Sequence, residues 1–332
     1  MSDKIKVILD CDTGSDDAVA ICTALLSPEK LEVLGICTVN GNRPVPNTTE
    51  NTLRVKDLLK SDVPVIRGCY CPMVKSLDPR REVLETAHSA KGEDGKEITY
   101  HAEYLDCLPP SHSKPLPMHA VTWLIDTLMN SEEKITVVPV GPLTNIAMAL
   151  RLEPRIAEHI EQFVIMGGGH LERNSTAGAE FNIWVDPEAA QIVFESGVKI
   201  VLMPLDATHR ANLTPEDSKY FRSLGTKLGN FIAQEIDDRV EAYNLLQPLH
   251  IPDIAPMHDA LCVAYLLDPT VITDLRHVRV DVDFSGGLCD GETVVDTRLI
   301  PPVKPKNCYL CMNTDSEKFA AMLRDILSRA KD

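Results

Sequence analysis

Residues 4–17 read Lys-Ile-Lys-Val-Ile-Leu-Asp-Cys-Asp-Thr-Gly-Ser-Asp-Asp, a short apolar run that ends in four aspartates, Asp10, Asp12, Asp16 and Asp17, set around Gly14. The pattern predicts a strand over 5–10, an acidic turn, and a helix over 16–26 whose first turn carries two of the carboxylates. Acidic residues suit the positive end of a helix dipole. Four carboxylates this close still repel one another, and a buried strand end solvates them poorly. No Lys or Arg lies between Leu9 and Lys30, so a bound divalent cation is the expected counter-charge. A strand running into a turn and then a helix is also the unit from which parallel sheets are built.

Working outward, similar units recur. Val- and Ile-rich runs at 5–10, 32–39, 63–66, 135–140, 162–166, 198–203 and 278–283 read as strands. Most are apolar without alternation, as in a sheet covered on both faces. Helical patterns fall near 16–26, 47–60, 118–130, 142–151, 187–196 and 259–267, with Gly141-Pro142 and Asp186-Pro187 as start signals. The expected fold is therefore α/β, an open, mostly parallel, doubly wound sheet with helices on both faces, in one domain over 1–332. Two stretches read as irregular, 71–117 and 240–257, and Tyr243 in the second is placed to close over a ligand.

Composition narrows the partners. The 332-residue chain carries a formal charge of −16, which argues against nucleic-acid polymers and anionic membranes but not against a small neutral substrate. No run approaches the roughly 20 apolar residues of a membrane helix. The first strand follows Met1-Ser-Asp almost at once, so a cytoplasmic location is expected. Ten scattered cysteines read as reduced thiols. A zinc site from Cys69, Cys71, Cys308 and Cys311 is disfavoured, because 308–311 reads as strand, where i and i+3 face opposite ways.

Asp10-x-Asp12-x-Gly14-x-Asp16-Asp17 has three look-alikes. An EF-hand loop needs an oxygen ligand where Gly14 stands and a helix before it. Asp10-Cys-Asp12-Thr13 fits the aspartyl-phosphate motif of haloacid-dehalogenase-like phosphatases, which would make Asp10 the nucleophile of a magnesium enzyme; that motif does not call for Asp16 and Asp17. The third is the N-terminal signature of nucleoside hydrolases.

Later motifs, in chain order, carry the third. They are Asn40-Gly-Asn42, Val138-Pro-Val-Gly-Pro-Leu-Thr-Asn-Ile-Ala147, Met166-Gly-Gly-Gly169, Asn174, Ala179-Glu-Phe-Asn-Ile-Trp-Val-Asp186, Pro204-Leu-Asp-Ala-Thr-His209, His258-Asp259 and Gly291-Glu-Thr-Val-Val-Asp296. The chain resembles the inosine–uridine preferring nucleoside hydrolases over roughly residues 4–324. The resemblance implies a calcium-dependent ribonucleoside hydrolase of nucleoside salvage, assembled as a homodimer or homotetramer. It implies Asp12, Asp17, Asp259 and the Val140 carbonyl as ligands of Ca2+, an all-oxygen set suited to a hard cation. Asp12 would double as the general base toward the attacking water. Asp16, Asn42, Glu180 and Asn182 would bind the ribose, with Met166 and Asn174 bordering it. His258 would protonate the leaving base, since a histidine can carry a proton at neutral pH. His88 would border the base from a loop that keeps the family's spacing but lacks its first glycine. Many relatives carry Thr at Val140, a change a main-chain ligand tolerates. Asp10 is left as a supporting residue and Asp186 as a helix cap. A non-catalytic nucleoside-binding protein that has kept the pocket is the remaining alternative.

Overall fold

The structure is a computed structural model that describes residues 4–81, 89–91, 97–300 and 304–330. In chain order its strands are β1 (Ile5–Cys11), β2 (Leu31–Thr38), β3 (Val65–Arg67), β4 (Ser89–Lys91), β5 (Glu97–Thr99), β6 (Ile135–Pro139) and β7 (Ile160–Met166). They continue with β8 (Ile200–Met203), β9 (Asn212–Leu213), β10 (Ala255–Pro256), β11 (Ile272–Val282), β12 (Thr293–Asp296) and β13 (Cys308–Thr314). The helices are α1 (Ser15–Leu25), α2 (Val45–Leu58), α3 (Ala120–Met129), α4 (Thr144–Leu152), α5 (Phe181–Val185) and α6 (Pro187–Phe194). After them come α7 (Leu205–Thr208), α8 (Pro215–Ser223), α9 (Lys227–Leu246), α10 (Ala260–Leu267) and α11 (Ser316–Leu327).

Nine strands form one sheet in the order β12-β11-β13-β8-β7-β6-β1-β2-β3. From β13 to β3 every pairing is parallel, and β11 alone runs against both of its neighbours. The doubly wound reading therefore holds, with one reversed strand added near an edge. Because β1 is central, its side chains alternate between two cores. Val7, Leu9 and Cys11 pack with α1, α9, α10 and α11, while Ile8 packs with α3, α4 and α6 on the other face. Cys308 and Cys311 of β13 belong to opposite cores, so they cannot share a zinc ion.

The chain leaves β1 toward β2 and β3 on one side, then returns to β6 on the other. That reversal makes the crevice beyond the carboxyl ends of β1 and β6 the natural ligand site of an open α/β sheet.

Two local readings need correction. Residues 240–246 are the last turns of α9, a 20-residue helix, and so is Tyr243, which is buried rather than poised on a loop. Strand β11 begins at Ile272, six residues before the expected start at 278, because its first half is largely exposed and lacks the buried apolar signature.

Candidate active site

The aspartate turn is built around backbone donors. Asp17 accepts from the N–H groups of Asp12 (3.1 Å) and Gly14 (2.9 Å), closing the entry to α1. Asp12 accepts the Asn42 N–H on Oδ2 (2.7 Å), and the Asn42 side-chain amide reaches the Asp12 carbonyl and Asp17 Oδ2 (3.3 Å each). The Asp12 carboxylate is wedged between two glycines, one after β2 and one after β6. A Cβ on Gly41 would stand 2.1 Å from Asp12 Oδ2, and one on Gly141 would stand 2.7 Å from Oδ1. Both positions must be glycine for this carboxylate to sit at the crevice.

Asp12 Oδ1 is buried and has no hydrogen-bond partner in the protein. Burial and the neighbouring carboxylates push Asp12 and Asp259 well above the ordinary carboxylate range, and Asp17 up to about 7. An orphaned carboxylate oxygen among buried acids, with an all-oxygen donor set, is what a hard divalent cation fits. One oxygen each from Asp16, Asp17 and Asp259 lie within 4.8 Å of one another. Asp12, expected in the ligand set, falls outside that trio. Asp16, expected to bind sugar, falls inside it. The Val140 carbonyl accepts from the Asn182 amide (2.8 Å), which leaves its second lone pair free.

Asp16 does not stand unpaired. Arg239, on α9 and 2 % exposed, donates to both of its oxygens (3.0 and 3.2 Å). The sequence reading missed Arg239. The other ribose candidates line the same cavity, of about 200 Å³: Asn42, Met166, Asn174, Glu180 and Asn182. Glu180 caps α5, accepting from the N–H groups of Gly168 (2.7 Å), Asn182 (3.0 Å) and Ile183 (3.2 Å), and burial raises it to about 7. The Asn182 amide also reaches Met166 Sδ (3.3 Å). Asn174 Oδ1 accepts the Phe181 N–H (2.9 Å) and is the exposed member of the group.

At the far end His258 is held on both ring nitrogens, by Tyr243 Oη at Nε2 (2.5 Å) and Thr208 Oγ1 at Nδ1 (2.7 Å). Burial, then Arg239, keeps this imidazole neutral by driving its pKa well below the usual value. This burial works against the proton that His258 is expected to carry. Tyr243, His258 and Thr208 thus form one hydrogen-bonded chain. Tyr100 and His101 complete this wall, and burial takes His101 down to about 4. His88 lies outside the described residues.

Asp10 does not line the cavity. It is fully buried, accepts from the Asn145 amide (2.7 Å), and is raised to about 7 by burial. Asp186 is the expected cap of α6, accepting the Ala189 N–H (3.1 Å).

The family model for inosine-uridine preferring nucleoside hydrolase matches residues 7–321. A curated inosine-uridine preferring nucleoside hydrolase of Leishmania major is 40% identical over 98% of both chains. A pyrimidine-specific ribonucleoside hydrolase of Escherichia coli is 36% identical over 97% of this chain and 98% of its own. Among solved structures, the purine-preferring ribonucleoside hydrolase from Gardnerella vaginalis superposes with a TM-score of 0.85 at 33% identity, covering 98% of each chain.

Proposed function

The chain belongs to the inosine-uridine preferring nucleoside hydrolase family, and from that premise we propose that it is a calcium-dependent enzyme that prefers inosine and guanosine and also accepts uridine. Water and ribonucleoside give free base and ribose. The observation that carries the reading is the Asp12 carboxylate, fixed on one oxygen by Asn42, orphaned on the other, and wedged between Gly41 and Gly141 at the crevice. Asp12, Asp17, Asp259 and the Val140 carbonyl would hold calcium, whose charge offsets the buried acids and acidifies the nucleophile.

The residues divide the remaining work. Asp12 takes the proton of the attacking water as its oxygen bonds to the anomeric carbon. Asp16, Asn42, Glu180 and Asn182 offer acceptors and amides to the ribose hydroxyls, with Met166 and Asn174 at the border of the sugar. Positive charge develops on the ribose ring as the bond to the base breaks, and the ring of acids stabilises it. The base leaves with a proton delivered through Tyr243 and His258, beside the fixed charge of Arg239. We place the enzyme in cytoplasmic nucleoside salvage, working as a homodimer or homotetramer; among the described residues no helix is long and apolar enough to cross a membrane.

The test is ribose release from inosine, guanosine, adenosine, uridine and cytidine, with calcium and with chelator. Release from inosine and guanosine that the chelator abolishes is expected. Tight nucleoside binding with no turnover in calcium would overturn the reading in favour of a binding protein.

A further inference from the structure

Four buried carboxylates converge at the crevice, and distance alone does not separate ligands from sugar-binding groups. Asp16 has an oxygen within 4.8 Å of ligand oxygens on Asp17 and Asp259, close enough to join a cation's shell. Hard cations accept additional carboxylates readily, and affinity rises with the charge they bring. Something must hold Asp16 back if it is to meet the ribose.

Arg239 is placed for that task. Its Nη1 and Nη2 take one Asp16 oxygen each (3.0 and 3.2 Å). The fork is itself pinned, with Nη1 donating to Ser15 Oγ (2.7 Å) and Nε to the Pro256 carbonyl (2.7 Å). Ser15 opens α1 and Pro256 belongs to β10, so three separate elements fix one guanidinium. A planar fork matches a carboxylate in a way a lysine ammonium cannot. Each Asp16 oxygen keeps a further lone pair for a sugar hydroxyl.

We infer that Arg239 is a positioning residue that clamps Asp16, keeping it out of the cation's coordination shell and reserving it for the ribose; this rests on the hydrolase reading above. The clamp divides four carboxylates into three for the ion and one for the sugar. Its loss has effects of opposite sign on the two ligands, which a merely structural residue would not produce.

Calcium affinity is measured by titration calorimetry without nucleoside, alongside KM and kcat for inosine. In Arg239→Gln, calcium binds about tenfold more tightly, because a buried positive charge is gone and Asp16 is free to ligate, while KM rises about tenfold and kcat changes less. Arg239→Lys keeps the charge without the fork, so calcium affinity stays near wild type while KM still rises. In an Asp16→Asn background, Arg239→Gln tightens calcium less and adds nothing to KM. Should Arg239→Gln fail to fold, Arg239→Lys alone and combined with Asp16→Asn decides through KM. Weaker or unchanged calcium binding in Arg239→Gln, or KM effects that add to those of Asp16→Asn, overturns the clamp. The calorimetry needs no turnover: a wild type that releases no ribose yet shows the calcium pattern overturns the hydrolase reading and keeps the clamp.

Discussion

At the end of the site that the proposal assigns to the sugar, Asp12 and Asp17 follow β1, Asn42 follows β2, Val140 follows β6 and Met166 ends β7. Their positions are set by backbone N–H groups and by glycines that admit a carboxylate. At the end the proposal assigns to the base, Tyr243 rides on α9, His258 precedes α10, and Tyr100 and His101 follow β5. There the contacts run from side chain to side chain, as in Tyr243 to His258 and His258 to Thr208. Strand ends in a parallel sheet are rigid, and on the proposed function they carry the groups every ribonucleoside needs. Helix faces and long connections can change their side chains without disturbing that frame, and the proposed function has the base read there, where the fold is most adjustable.

The two ends should fail differently. The largest effect is expected from Asp12→Asn, with kcat for inosine falling about 10³-fold while the melting temperature holds, checked by ribose release and thermal unfolding. The loss should be equal with 4-nitrophenyl riboside, whose leaving group needs no proton. Next comes Gly141→Ala, which drives a methyl group against Asp12 and should cost about 10²-fold in kcat on both substrates. Tyr243→Phe, at the base end, should slow inosine about tenfold and leave 4-nitrophenyl riboside nearly unchanged. Equal losses on both substrates would erase the division between the ends.

The smallest effect concerns α9 itself. Burial, then Asp238, raises Glu235 to about 8, so the folded protein holds this proton more tightly than the unfolded chain does. Its contribution to stability is complete below about pH 4.5 and is lost as pH rises through 8. Glu235→Gln should therefore melt like wild type at pH 5 and a few degrees higher at pH 9, measured by calorimetry.

The same contrast governs what could be read from the chain. Strand ends announce themselves because apolar runs stop abruptly at Asp10, Asn40, Gly141 and Gly167, and seven strands and six helices follow from such punctuation, while the roles of the site residues came from the resemblance. Helix α9 gave no comparable signal. Its buried stripe runs through Leu228, Phe231, Ile232, Glu235, Ile236, Arg239, Ala242 and Tyr243. Two charged residues, Glu235 against Cys107 and Arg239 at the cavity, interrupt the apolar period and hide the helix. The partner of Asp16 could not be named for the same reason: a lone arginine in a charged stretch reads as solvated surface.

The central place of β1 has a consequence for the order in which this protein acquires its parts. Leu9 pairs with Ile36 early in the chain but also with Val138, and Asp259 arrives later still. Closing such distant contacts is slow and entropically costly, so it comes late in folding. A ribosome-bound chain ending before Asp259 would own the acidic turn without its third carboxylate or its arginine-bearing helix docked. If the site holds calcium as proposed, its capture is a late act of maturation, and calcium should slow unfolding far more than it speeds refolding.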